Sequence, residues 1–247
     1  MDLGSGGVAT TPGGETVTGW LAVCGLPGDA RIQIRYIEDT DWLTEWRKHH
    51  HTMDIGRRLR IVPSWIPLEP DDGRVTVVLD PGMAFGTGSH PSTKLCLEAL
   101  DAMVRPDMDV VDTGTGSGIL AIAAVKLGAR HVWASECDAL PRTIAAENAA
   151  RNGIADRIEV MTPEQLDARR PAADIVVCNI IAETIIQLAP LLKDMVRRPD
   201  GILITSGIVE ERLSAVADAL ERHNLRIADI RSDDVWRALI AGHAPLG

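Results

Sequence analysis

The sequence predicts an α/β fold, a mostly parallel sheet closed by an antiparallel hairpin. Three observations carry this. Apolar, β-branched runs alternate with helical patterns over most of the chain, as βαβ units require. The run Val110-Val111-Asp112-Thr113 enters the glycine turn Gly114-Thr115-Gly116-Ser117-Gly118 and leaves as an alanine- and isoleucine-rich helix at 119–124. Residues 225–231 and 235–241 then read as two adjacent strands that pair to close the sheet.

Taken in order, residues 1–15 are rich in Gly and Thr and are expected to be poorly ordered. Short strands are expected over 17–23 and 31–37, the second alternating cleanly between apolar and polar. Residues 1–38 thus read as a small N-terminal module. Residues 39–70 read as a linker. Its helix carries Trp42 and Trp46 on one face, His49-His50-His51 form a solvated helix end, and basic residues flank a strand at 57–62. From residue 71 the main domain begins. A strand at 75–79 opens the segment Asp80-Pro81-Gly82-Met83-Ala84-Phe85-Gly86-Thr87-Gly88-Ser89-His90-Pro91-Ser92-Thr93. Its glycines and prolines exclude a regular element until a helix starts at Pro91 and runs to about Met103. After the glycine turn come a strand at 131–135, a helix near 140–151 with a C-cap at Asn152-Gly153, a strand at 158–161 and a buried strand at 173–178. A helix through Ile185 and Met195, a strand at 202–205 and a helix at 209–223 precede the closing pair.

Composition narrows the function. The 247 residues are 45% hydrophobic, enough for one domain and a small addition. A net charge of −10 opposes direct nucleic-acid binding. Four scattered cysteines form neither a disulfide framework nor a zinc site, so no metal is expected and a reducing cytoplasm suits the chain. No apolar run approaches the length of a membrane span, and a monomer is expected.

The chemistry lies at the strand ends. Glycines let a ligand approach the backbone, and the helix start adds N–H groups and a partial positive charge. Glu136 closes the next strand, where a carboxylate meets two ribose hydroxyls; Asp138 stands in reserve. The spacing G-x-G-x-G has Ile119 where a dinucleotide fingerprint needs glycine, which opposes a dehydrogenase. No Ser-His-Asp set or carboxylate pair suits hydrolysis. Asn179 follows a fully apolar strand, and its amide carbonyl can orient an amine nucleophile.

Asp112, Gly114, Gly116, Gly118, Glu136 and Asn179 together resemble a class I S-adenosylmethionine-dependent methyltransferase. The segment Asp80 to Thr93, Asn179-Ile180-Ile181-Ala182, Asp41-Trp42 with Trp46, Pro63-Ser64-Trp65 and Ser206-Gly207-Ile208 narrow this. They closely resemble the methyltransferases of ribosomal protein L-eleven, the PrmA family. The resemblance covers residues 35–245 and implies a Rossmann-like, seven-stranded sheet and S-adenosyl-L-methionine as cofactor. It implies cofactor contacts from Thr93, Gly114, Glu136 and Asn179, and a loop over donor and acceptor holding Phe85, Gly86, Thr87 and His90. It further implies methylation of lysine ε-amines, or an N-terminal amine, of a large-subunit ribosomal protein. Other amines, or cofactor binding without catalysis, are the alternative readings. Glu136 stands where the family usually has Asp, Thr115 where it often has Cys, and the region before Asp41 is expected to be a reduced recognition module.

Overall fold

The computed structural model describes residues 51–68, 70, 72–80 and 86–243, together with the backbone of 8–10 and 16–18. The chain forms two compact units, Met1–His49 and His50–Gly247. In the first, β1 (Val8–Thr10) pairs antiparallel with β2 (Thr16–Thr18). Residues 8–10 are therefore strand where poor order was expected. The strand expected at 31–37, the tryptophan helix, His49 and His50 lie outside the described residues.

The second unit opens with a three-stranded sheet of β3 (Met53–Ile55), β4 (Leu59–Pro63) and β5 (Val75–Leu79). β4 runs antiparallel to β3 and parallel to β5. The segment 39–70 thus contains sheet as well as connection. Its β3–β4 turn depends on a distant residue: the buried Asp101 carboxylate accepts hydrogen bonds from Arg57 N at 2.8 Å and Arg58 N at 3.0 Å. Gly56, at φ +56°, leaves the space that this carboxylate fills.

The main sheet contains β6 (Asp109–Thr113), β7 (His131–Ser135), β8 (Ile158–Met161), β9 (Ile175–Asn179), β10 (Ile202–Val209), β11 (Leu225–Asp233) and β12 (Trp236–His243). Their order is β11-β12-β10-β9-β6-β7-β8. Pairing is parallel from β10 to β8 and antiparallel at β12 and β11. This is the seven-stranded, mostly parallel sheet with a closing hairpin that the sequence predicts.

Burial on both faces explains the unbroken apolar runs. Val110, Ile175, Val177, Ile204 and Ile240 pack on one side with α1 (Pro91–Met103), α2 (Ile119–Lys126) and the small sheet. Val111, Val176, Cys178, Leu203 and Leu239 alternate to the other side, under α5 (Ala182–Met195) and α6 (Leu213–Arg222). In chain order α3 (Ala139–Arg151) and α4 (Pro163–Arg169) follow α2, with Ala149 joining the first side and Leu166 the second.

Within the main domain, two further departures from the expected elements stand out. Helix α4 is an addition. Thr162 and Gln165 form its reciprocal capping box, so the signal stood in Thr162-Pro163-Glu164-Gln165. Strand β10 continues to Val209, and α6 starts at Leu213 rather than near 209. Antiparallel pairing of Ile208 with Arg237 and of Val209 with Trp236 holds that stretch extended.

The N-terminal ends of the central strands are closed by side-chain ion pairs. Buried Asp109 accepts from Arg130 Nε at 3.0 Å and Arg197 Nη2 at 2.9 Å. The C-terminal ends are left to form a cavity. No helix among the described residues is long and apolar enough to cross a membrane.

Candidate active site

A cavity of about 700 Å³ opens beyond the C-terminal ends of β6, β7, β9 and β10, where an open α/β sheet places its ligands. The glycine turn forms its floor. Gly114 has φ +77°, and a Cβ there would lie 2.5 Å from Ile180 Cγ2; Gly118, at φ +86°, would bring one to 3.2 Å from Ala145 Cα. Glycine at these two positions lets β9 and α3 close onto the turn. The amides of the turn are largely spent inside the protein. Gly114 N and Thr115 N both donate to Ser135 O at 2.9 Å, and Gly116 N donates to Glu136 Oε2 at 3.1 Å. The turn offers a ligand shape and close approach more than free donors, contrary to the expectation from the loop alone.

Asp112 lies beneath the turn, fully buried and off the cavity wall. Its Oδ2 accepts from Thr115 Oγ1 at 2.6 Å and Ala121 N at 3.1 Å, tying the turn to the start of α2. Burial pushes its carboxyl up to about 7; those two hydrogen bonds oppose the rise and the Glu136 charge adds to it. Gly118 likewise supports the turn without lining the cavity.

Glu136 reaches the wall from the end of β7. Its Oε1 accepts from Asp138 N at 3.2 Å, while Arg142 Nη1 donates to the carbonyls of Glu136 at 2.8 Å and Cys137 at 2.6 Å. Asp138, the reserve, is exposed and off the wall.

Asn179 and Thr93 meet across β9 and α1, with Asn179 Nδ2 donating to Thr93 Oγ1 at 3.1 Å. That bond orients the amide and leaves Oδ1, which is buried with no hydrogen-bond partner. Thr113 Oγ1 and Ser135 Oγ are also buried and unpartnered, and all three residues line the cavity. Buried polar atoms without partners are rare. Three along one cavity mark a polar ligand.

His90 caps α1: its Nδ1 accepts from Ser92 N at 3.3 Å and lies 2.7 Å from Ser92 Oγ. Burial lowers its pKa, so the ring is neutral at pH 7. The ring stands edge-on to Trp236, 4.6 Å between centroids, and both line the cavity. Gly86 lines it as well; Thr87 does not, and bonds Ser89 Oγ at 2.7 Å instead. Phe85 lies outside the described residues.

The structure therefore gathers Gly86, His90, Thr93, Gly114, Gly116, Glu136 and Asn179 around one cavity. It adds residues the motif reading did not select. Thr113 and Ser135 stand at strand ends and were accessible to the same reasoning. Trp236 reaches the cavity through the pairing of β10 with β12, and Gly207, from the Ser206-Gly207-Ile208 stretch, reaches it against the backbone of Ile180. On α5, Thr184, Leu188 and Leu191 face the cavity while Ile185, Ala189 and Leu192 fill the core. With Pro163 and Leu166 they make an apolar wall beside the Glu136 carboxylate. A carboxylate for a diol, an apolar slot for a flat ring and the orphaned hydroxyls of Thr113 and Ser135 for a charged tail fit S-adenosylmethionine.

Comparison with known proteins agrees. The family model described as Ribosomal protein L11 methyltransferase (PrmA) matches residues 18–243. The Ribosomal protein L11 methyltransferase of Pelotomaculum thermopropionicum is 42% identical over 217 residues, 87% of this chain and 70% of that one. The one from Clostridium perfringens is 42% identical over 214 residues, 87% of this chain and 68% of that one. A crystal structure of ribosomal protein L11 methylase from Lactobacillus delbrueckii subsp. bulgaricus superposes with a TM-score of 0.71 at 38% identity, covering 78% of this chain and 98% of that one. Sequence, fold and site thus agree that this chain belongs to the ribosomal protein L11 methyltransferase (PrmA) family of S-adenosylmethionine-dependent protein methyltransferases.

Proposed function

We propose that this chain methylates amino groups of ribosomal protein L11, chiefly lysine ε-amines and also an N-terminal amine. The observation that carries this is the buried, unpartnered Oδ1 of Asn179, oriented by Thr93. In this reading Thr93, Gly86, Gly114, Gly116 and Glu136 hold the cofactor, and Asp112 and Gly118 support the turn from below. Gly86 and His90, which line the cavity, face donor and acceptor. When bound, S-adenosylmethionine supplies a methyl group already activated as a sulfonium.

The protein's own work is alignment and desolvation. Asn179 Oδ1 accepts an N–H of the incoming amine and so turns the nitrogen lone pair away from itself. An amine is a nucleophile only when neutral, and the apolar Ile180 beside Asn179 on the cavity wall disfavours its charged form. The neutral imidazole of His90 accepts from Ser92 N at Nδ1, which places its one proton on Nε2, so the ring serves the α1 cap. The acceptor ammonium gives its proton to solvent as it enters the apolar wall, so a dedicated base is unnecessary.

A net charge of −10 suits a basic protein partner and opposes a nucleic-acid one. We assign residues 1–38 to recognition of that partner, 39–70 to the connection and 71–247 to methyl transfer, in a cytoplasmic monomer. Incubating the purified chain with S-adenosylmethionine and purified ribosomal protein L11, then weighing L11 by mass spectrometry, tests the reading. One or more added methyl groups, mapped to amines, are expected. An unmodified L11 beside a chain that still binds the cofactor refutes the substrate.

A further inference from the structure

Helix α3 and its C-cap Asn152 present Ala145, Asn148, Ala149 and Asn152 along one face. Asn148 is 1% exposed although it is an amide. Its Oδ1 accepts from Asp80 N at 2.9 Å, and its Nδ2 donates to Asp80 O at 2.9 Å. One turn later Asn152 does the same for Val78, accepting from its N at 3.0 Å and donating to its O at 2.7 Å. The match is geometric. Four helical residues rise about 6 Å, and two strand residues about 6.6 Å. Two side-chain amides therefore pair with the edge of β5 as a neighbouring strand would.

The two differ in their remaining proton. Asn152 spends it on its own helix, at Asn148 O, 2.8 Å away. Asn148 spends it on Ser117 O in the glycine turn, at 3.0 Å. Ser117, fully buried, then donates its Oγ to Gly86 O at 2.6 Å. Gly86 has φ +100°, and a Cβ there would come within 3.0 Å of Ser117 Oγ, so the contact itself requires glycine. Neither Asn148 nor Ser117 lines the cavity. Each stands behind a part of the wall.

We propose that Asn148 and Ser117 are positioning residues that couple the glycine turn to residues 86–90, so that filling the cofactor site orders the segment carrying His90. This rests on the assignment of the cofactor site above. The link is short and buried: both N–H groups of the Asn148 amide donate and its oxygen accepts once. Asn152 is the built-in control, since it grips the same strand from the same helix without touching the turn.

Hydrogen–deuterium exchange of the full chain, with and without S-adenosylhomocysteine, tests this without turnover. In the unaltered protein the ligand is expected to slow exchange both at 114–118 and at 86–90. In Ser117→Ala and Asn148→Ala the slowing at 114–118 should persist, while that at 86–90 falls about five- to tenfold, the worth of one hydrogen bond. Asn152→Ala should lower thermal stability and keep both effects. Undiminished slowing at 86–90 in Ser117→Ala overturns the coupling, as does an equal loss in Asn152→Ala. Should Asn148→Ala not fold, Ser117→Ala decides alone. An absence of slowing at 114–118 in the unaltered protein instead overturns the cofactor-site assignment beneath it.

Discussion

Replacing Asp112 by Asn should invert a stability difference with pH. The carboxyl is fully buried, one oxygen receives two hydrogen bonds and the other receives none. Burial raises its pKa from 3.8 to about 7. The native state therefore holds a proton over a window in which the unfolded chain has lost it. Stability falls as pH rises through that window, from about 4 to about 7, and is level above it. The whole rise corresponds to roughly 4 kcal/mol, of which roughly 3 falls between pH 5 and 8. Asparagine keeps the shape and the accepting oxygen but cannot ionise. Its NH₂ group then occupies the partnerless side, at a cost of about 1–3 kcal/mol that does not vary with pH. The variant should thus be the weaker protein at pH 5 and equal or stronger at pH 8. Urea unfolding at pH 5, 6.5 and 8, comparing variant with wild type at each, measures the difference. Parallel curves across this range would show that Asp112 does not titrate there and would refute the burial argument.

Three further outcomes follow from the site. Asn179→Ala should lower kcat on the order of 10²-fold through lost alignment, yet change stability by less than about 1.5 kcal/mol, because its one side-chain hydrogen bond is to Thr93; steady-state rates beside urea curves check both. Glu136→Ala should weaken cofactor binding about 10- to 100-fold in calorimetry, the worth of charge-assisted hydrogen bonds, and unchanged binding would remove the carboxylate from the site. Gly114→Ala combines a left-handed φ with a Cβ 2.5 Å from Ile180 Cγ2. It should cost roughly 2–4 kcal/mol and displace Ile180 from the cavity wall, read as a lower Tm together with weaker cofactor binding.

Much of the molecule was legible from the chain alone. Helix α1 starts and ends where Pro91 and the apolar spacing placed it, and β8 matches residue for residue. Such elements are written in local periodicity and turn chemistry, which need no knowledge of neighbours. The boundary at 209–213 was not legible, because antiparallel pairing with β12 extends β10 past Gly207. The β3–β4 turn was equally hidden, since its carboxylate partner, Asp101, lies 44 residues from Arg57.

The same division runs through the site. From the order of residues came the sheet, the glycine turn and the polar groups at the strand ends, since a parallel sheet delivers those ends to one side whatever surrounds them. Folding alone decided which groups stay available. Ser135 O takes two amides of the turn, while Asn179 Oδ1 is left unpaired at the wall. Trp236 is set against His90, and Asn148 is turned from a helix residue into a surrogate strand edge. These outcomes depend on contacts between segments far apart in the chain, for which the sequence carries no local mark.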